Sequence, residues 1–145
     1  MTCVALLKRE DLRGAAEIEK LCFAEPWSEK SLELLLTDGN FGVAAVVDNK
    51  VVAYGGMTCV LDEGAVTNIA VHPDHRRQGL GRAVLSEMLK EAEKRGISCV
   101  FLEVRVSNSA ARQLYSSAGF TECGIRKNFY KHPTEDALQM VYTKN

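Results

Sequence analysis

The residues between Val71 and Leu80 constrain this chain more than any others. Up to Val71 the apolar positions Ala65, Val66, Ile69 and Val71 read as a strand opened by Gly64. From Leu80 the period is that of a helix. Leu80, Val84, Leu85, Met88, Leu89 and Ala92 share one face, and Gly96 marks the stop. The joint is His72-Pro73-Asp74-His75-Arg76-Arg77-Gln78-Gly79. A helix start presents unpaired N–H groups and the positive end of the helix dipole. Gly79 and Gly81 keep a Cβ out of the way, and Arg76 and Arg77 add positive charge. A bare Gly-x-Gly is more often a plain turn. Here the strand-to-helix context, the paired arginines and the long amphipathic helix favour a pyrophosphate site.

Two known phosphate motifs compete for the same residues. A P-loop needs Gly-Lys-Ser/Thr, which does not follow. A dinucleotide fingerprint fits Gly79-x-Gly81 and finds an acid at Glu103. Its third glycine position is Val84, however, and the loop after Val71 is too long for that tight turn.

The rest of the chain reads as short alternating elements. Thr2 to Leu7 is a strand, and Asp11 can cap a helix with Leu12, Ala15, Ala16, Ile18 and Leu21 inward. Pro26-Trp27-Ser28 breaks the chain, and Ser28 caps a second helix with Leu32, Leu34, Leu35 and Leu36. Phe41 to Val47 and Val51 to Val60 flank Asp48-Asn49-Lys50, a hairpin signal. Ser98 to Val106 is apolar apart from Glu103 and Arg105, which predicts a strand buried on both faces. Asn108 or Ser109 starts a helix with Ala111, Leu114, Tyr115 and Ala118 packing. Phe120 to Tyr130 and Ala137 to Tyr142 are closing strands. The order β-α-α-β-β-β-α-β-α-β-β predicts an α/β domain with a mixed sheet, one domain over residues 1–145.

Composition excludes several classes. A net charge of -1 argues against direct nucleic-acid binding. The five cysteines (Cys3, Cys22, Cys59, Cys99 and Cys123) are scattered and form no C-x-x-C. They read mostly as small buried apolar residues in a reducing, cytoplasmic setting. His72-x-x-His75 lacks a third ligand, so no metal is expected. No signal peptide and no membrane span are expected either.

Arg76-Arg77-Gln78-Gly79-Leu80-Gly81 resembles the Q/R-x-x-G-x-G/A acetyl-CoA motif of the GNAT N-acetyltransferases. Asn108 to Phe120 resembles their N-x-x-A-x-x-L-Y-x-x-x-G-F signature. Phe23-Ala24-Glu25-Pro26-Trp27-Ser28, Leu102-Glu103-Val104-Arg105, Ile125 to Tyr130 and Glu135-Asp136-Ala137-Leu138 are similar to the ribosomal-protein-alanine N-acetyltransferases, the RimI family. The resemblance implies a GNAT fold: a central mixed, largely antiparallel sheet of about seven strands with four helices. It implies acetyl-CoA as co-substrate, held by Ile69, Ala70, Val71, Arg76, Arg77, Gln78, Gly79, Leu80, Gly81, Arg82, Asn108 and Tyr115. The pantetheine arm is expected to pair like an added strand with Ile69 and Val71. The implied acceptor is a protein N-terminus, ribosomal with alanine or serine first, and the protein is expected to act as a monomer.

Acetyl transfer needs a neutral amine, a polarised thioester and a stabilised leaving thiolate. Glu103, a carboxylate in an apolar strand, is the candidate base, and its other reading is a structural partner for Arg105 or a neighbouring strand. Tyr115 is the candidate acid toward sulfur, and it also falls on the packing side of its helix. Asn108 can cap that helix as well as touch the cofactor. No cysteine sits in an activated setting, which favours direct attack. An α-amine titrates near 7.7–8.0 and a lysine near 10.4, so the neutral fraction is roughly several hundredfold larger at an N-terminus. One carboxylate can suffice there. Tyr130 is the implied acceptor-side residue, with Phe23 and Trp27 beside it, although core packing suits Trp27 too. Glu25, Asp62 and Glu63 would favour a basic peptide, or are simply solvated. The alternatives are a small-molecule or lysine N-acetyltransferase on the same fold and a non-catalytic acetyl-CoA-binding module.

Overall fold

A computed structural model describes residues 1–144 and builds them around one seven-stranded sheet. The strands are β1 (Thr2–Leu6), β2 (Phe41–Val47), β3 (Lys50–Val60), β4 (Glu63–Val71), β5 (Cys99–Arg105), β6 (Thr121–Tyr130) and β7 (Glu135–Thr143). The helices are α1 (Leu12–Cys22), α2 (Glu29–Leu32), α3 (Leu80–Lys94) and α4 (Ser109–Ser117). The sheet order is β1-β2-β3-β4-β5-β7-β6, and only β4 with β5 is parallel. The element order expected from the sequence holds.

The two faces of the sheet carry separate cores. Leu12, Ala15 and Ile18 of α1 and Leu32 of α2 pack with Ala44, Tyr54 and Ala70 on one face. Val84, Leu85 and Met88 of α3 and Tyr115 of α4 pack with Val43, Val100, Leu102 and Leu138 on the other. Asp48 and Asn49 both take positive φ, 50° and 65°, which matches the two-residue hairpin turn between β2 and β3. Ser28 caps α2 through a bond from the Ser31 N–H at 3.0 Å.

Three local expectations fail for identifiable reasons. Asp11 does not cap α1. Its carboxylate accepts from the Lys8 N–H at 2.8 Å and closes a 3-10 turn, Arg9–Asp11, ahead of the helix. The cysteines are not core residues, because Cys3 and Cys123 are exposed and Cys22, Cys59 and Cys99 only partly covered. β5 is not buried on both faces. Val100, Leu102 and Val104 are buried, whereas Phe101 is exposed and Glu103 and Arg105 are half-buried.

The reason for the last failure matters most. β4 and β5 pair only at Glu63–Cys99, Gly64–Val100 and Ala65–Phe101. Opposite, β3 pairs Gly55 with Ile69 and Met57 with Val66, so Thr67 and Asn68 together face Gly56. That extra residue is a β-bulge, which bends the strand that carries it. The pairing with β5 ends at Ala65, just before the bulge, and from there the second face of β5 opens.

The packing of α1 on the sheet depends on Gly14. A Cβ there would lie 2.8 Å from Val51 Cβ and 2.9 Å from Val51 Cγ2. Replacing a mid-helix glycine by alanine favours the helix by about 1 kcal/mol. Overpacking against a branched side chain that cannot swing away costs about 1–3 kcal/mol. Gly14→Ala should therefore be less stable than wild type, with a Tm lower by about 2–4 °C per kcal/mol lost, read by thermal unfolding. A raised Tm would show that helix propensity outweighs the clash.

Candidate active site

The end of β4, the loop after it and the starts of α3 and α4 enclose a cavity of about 640 Å³. Gly79 forms the N-cap of α3 with φ 76°, a left-handed geometry that only glycine takes without strain. No side chain caps the helix, so its first N–H groups face the cavity. Gly81 forms part of the floor. A Cβ there would sit 3.4 Å from Leu114 Cδ2 and 3.7 Å from Val71 Cγ2. Arg76, Arg77, Gly79, Leu80, Gly81 and Arg82 all line the cavity, whereas Gln78 does not. An uncapped helix start flanked by three guanidiniums fits a diphosphate.

The strand edge supplies the other wall, through Ile69, Ala70 and Val71. The His72 N–H donates to Val52 O, so in this antiparallel ladder the next mutually bonded pair is Tyr54–Ala70. Ile69 and Val71 therefore turn their N–H and C=O groups away from β3, toward the gap left by β5. Such an edge accepts an extended, amide-bearing arm by strand addition. Val71 O already accepts from Arg76 Nε at 3.3 Å and from the Cys22 thiol at 3.5 Å. Arg76 Nη2 also reaches Cys22 Sγ at 3.4 Å.

α4 brings two expected residues to the same cavity. Asn108 is its N-cap, accepting from the Ala111 N–H at 3.1 Å, and it lines the cavity. Tyr115 lines the cavity and also packs edge-on against Phe120, with ring centroids 5.7 Å apart, so it serves both packing and site. Burial, with a smaller contribution from Tyr130, pushes the Tyr115 phenol well above the usual tyrosine range.

Glu103 lies outside that cavity. It shares the open face of β5 with Phe101 and Arg105, and it lines a recess of about 130 Å³ with Ala65, Val66 and Gln139. Its carboxylate accepts from Arg126 Nη1 on β6 at 2.7 Å, so it pairs with a neighbouring strand and not with Arg105. Arg105 instead pins the β6–β7 hairpin, donating to Lys131 O and Pro133 O, both at 2.9 Å, and to Glu135 at 3.2 Å. Its guanidinium covers the Tyr130 ring at 4.6 Å. Burial first, then the negative charge of Glu103, pushes the Tyr130 phenol up to about 12 against a lowering by Arg105. The Tyr130 phenol is thus raised in part by Glu103 and in turn helps to raise that of Tyr115.

The remaining expectations divide. Phe23 lines the larger cavity beside Cys22. Trp27 is partly covered and packs on the α1 side of the sheet. Glu25 is exposed, 3.9 Å from His132. Asp62 and Glu63 lie at the far end of β4, where Asp62 accepts from Ser98 Oγ at 3.0 Å, so they do not belong to this site. His72 uses Nδ1 to accept from the Asp74 N–H in a 3-10 turn.

One residue escaped the sequence reading. Glu19 of α1 is fully buried and accepts from the Trp27 N–H and from Asn68 Nδ2, both at 2.9 Å, and from the Tyr54 hydroxyl. Its signal was available. Glu19 follows Leu12 by seven and Ala15 by four, which places a carboxylate on the apolar face.

The chain matches the Acetyltransferase (GNAT) family over residues 12–120. It is 43% identical over 139 residues to the [ribosomal protein bS18]-alanine N-acetyltransferase of Escherichia coli K12, covering 96% of this chain and 93% of that one. The enzyme of the same description from Haemophilus influenzae is 31% identical over 144 residues, covering 97% and 98%. The crystal structure of the Escherichia coli ribosomal-protein-S18-alanine N-acetyltransferase superposes with a TM-score of 0.91 at 41% identity, over 99% of this chain and 94% of that one. The fold also matches a NatC complex bound to Gag peptide and CoA, TM-score 0.87 at 18% identity, over 99% of each chain. With the family motifs lying at an uncapped helix start and an open strand edge, this chain belongs to the GNAT family and is an N-acetyltransferase.

Proposed function

We propose that this enzyme transfers acetyl from acetyl-CoA to the α-amine of an N-terminal alanine or serine on a small-subunit ribosomal protein, bS18 by analogy with its relatives. The observation that carries this reading is identity of 43% to an enzyme of that description, spread over 96% of the chain. The open second face of β5 supports it, because Glu103 and Tyr130 border a surface reachable by an extended peptide. Residues 1–145 act as one domain, as a monomer, in the cytoplasm, with no direct nucleic-acid contact.

The residues fit acetyl-CoA at both of its polar ends. Arg76, Arg77 and Arg82 and the first amides of α3 bind the diphosphate, with Gln78 supporting the turn. Ile69 and Val71 pair with the pantetheine amides, Ala70 lies between them, and Asn108 closes the opposite wall. Acetyl-CoA supplies an activated thioester next to β4. Glu103, directly or through one water, takes a proton from the acceptor ammonium and frees its lone pair for direct attack. The C–S bond breaks as the C–N bond forms, and the Tyr115 hydroxyl protonates the departing sulfur. The second proton that the nitrogen sheds as the amide forms returns Tyr115 to its neutral state by way of solvent. Burial keeps the phenol protonated at neutral pH, and so able to donate a hydrogen bond to the sulfur, while making it a weaker acid. Phe23, Trp27 and Tyr130 border the acceptor.

Three measurements test this. Glu103→Gln should lower turnover by roughly 10²–10⁴-fold while acetyl-CoA still binds. Wild-type turnover in that variant would remove Glu103 from the mechanism. A peptide with an N-terminal alanine and an internal lysine should be acetylated once, at the α-amine, by mass spectrometry. Acetylation of the same peptide after α-amine blocking would overturn the N-terminal assignment in favour of lysine. The third concerns stability. Tyr54, Tyr115 and Tyr130 have raised phenols in the fold, so their contribution is complete below pH 10, where an unfolded tyrosine begins to ionise. It is lost as pH rises through the folded values, about 12 for Tyr130. Tyr130→Phe should therefore lose less stability than wild type between about pH 9 and about pH 11 in urea unfolding.

A further inference from the structure

The buried carboxylate of Glu19 has no part in the chemistry above, and its surroundings give it another one. Glu19 is fully buried on a helix face otherwise made of Leu12, Ala15, Ala16 and Ile18. An apolar side chain would pack there without the cost of desolvating a carboxylate. The three groups that donate to Glu19 lie in three different parts of the fold. The Trp27 N–H belongs to the segment that leaves α1 and enters α2. The Tyr54 hydroxyl comes from β3, and Asn68 Nδ2 from the bulge of β4.

Each contact has a functional consequence. Asn68 is one of the two residues that oppose Gly56, and it lies three residues beyond Ala65, where the pairing with β5 ends. The next three residues, Ile69 to Val71, are the wall of the cavity. A bond to Asn68 therefore fixes the angle at which this wall departs. A bond to the Trp27 N–H fixes the segment that begins with Phe23, which lines the same cavity from the α1 side. Thr67 Oγ1, beside Asn68, is buried and makes no hydrogen bond among the described residues. One carboxyl group takes all three bonds on its two oxygens, which suits a single group that must hold two segments together.

We propose that Glu19 is a positioning residue for acetyl transfer: it fixes the β4 bulge and the Phe23–Trp27 segment relative to each other, so that the acyl group and the amine meet. The inference rests on acetyl transfer to an amine and is indifferent to which protein supplies it.

Glu19→Gln is nearly isosteric but replaces one acceptor oxygen with a donor. With the amide nitrogen at the Oε1 position the Trp27 N–H loses its acceptor, and at the Oε2 position Asn68 must turn its amide over and Tyr54 must accept instead of donate, so either orientation disturbs the present network. Asn68→Ala is a milder second variant that leaves the Trp27 and Tyr54 bonds intact. The double variant Glu19→Gln/Asn68→Asp restores complementarity with donor and acceptor exchanged. The probe is a peptide with a free N-terminal alanine, assayed at a temperature where each variant unfolds cooperatively and well above the assay. Trp27 is the chain's one tryptophan, so its emission reports the segment directly. A displacement of about 1 Å can cost about 10²-fold in rate, so kcat for Glu19→Gln should fall at least about tenfold. Acetyl-CoA affinity should stay within about threefold, because α3 still holds the diphosphate. Trp27 emission should shift to the red, and the double variant should recover both emission and kcat. Wild-type kcat, unchanged emission, or an equal loss of acetyl-CoA affinity would each overturn the proposal. A wild-type enzyme silent on this peptide would strike the acceptor reading alone, and Trp27 emission would then decide the role of Glu19.

Discussion

Three residue pairs hold β4 to β5, and the rest of the molecule is arranged around the point where that pairing stops. A parallel pair that continued to Val71 would satisfy the backbone of both strands and leave no room between them. Because it stops at Ala65, Ile69 and Val71 keep amides and carbonyls that face a gap. Unpaired backbone groups in a covered place are costly unless something bonds to them. A cofactor carrying two amides in an extended arm meets that demand in the same way as a strand. The start of α3 adds the second demand, since its uncapped N–H groups favour an anion. One end of the cavity thus asks for amides and the other for a diphosphate.

The separation also divides the chemistry between two faces. Tyr115 reaches the gap from the α3 and α4 side, where it is part of the packed core. Glu103 lies on the opposite face of β5, where Phe101 is exposed. The two do not share a cavity, and the Tyr130 phenol is raised by burial and by Glu103. In the proposed mechanism a proton removed on one face and a proton delivered on the other require no direct contact between Glu103 and Tyr115. They require only that the acyl carbon lie in the gap between the faces.

Much of this was legible in the sequence wherever a strong period met a turn residue. α3 runs from Leu80, as its apolar stripe requires, and stops before Gly96. Asn108 caps α4 as its side chain suggests, and the Asp48-Asn49 turn takes the φ values its residues tolerate. What stayed hidden depends on contacts between distant segments. The bulge at Thr67 and Asn68 cannot be seen in an apolar run, because it is defined by the residues of β3 opposite. Phe101 looks like core until the neighbouring strand turns away. The spacing of Glu19 puts it on the apolar face of α1, but its partners Tyr54 and Asn68 lie far along the chain and are not visible from that spacing. Asp11 had two ways to satisfy a nearby N–H, and the 3-10 turn took it.

The pair between Glu103 and Arg126 bears on how the base of the proposed mechanism can wait for its substrate. A carboxylate alone in an apolar strand would be expensive to keep ionised. Arg126 removes that cost with a 2.7 Å contact, while its own side chain remains 54% exposed. Exposed pairs of this kind contribute about 0–1 kcal/mol, so exchanging one costs little. An incoming ammonium offers Glu103 the same charge at the same range, and the guanidinium can swing to water or stay stacked on Phe129, whose ring it covers at 4.9 Å. In the proposed reaction the acceptor thus enters by replacing one cation with another, and the carboxyl group that Arg126 held turns to the ammonium whose proton it takes.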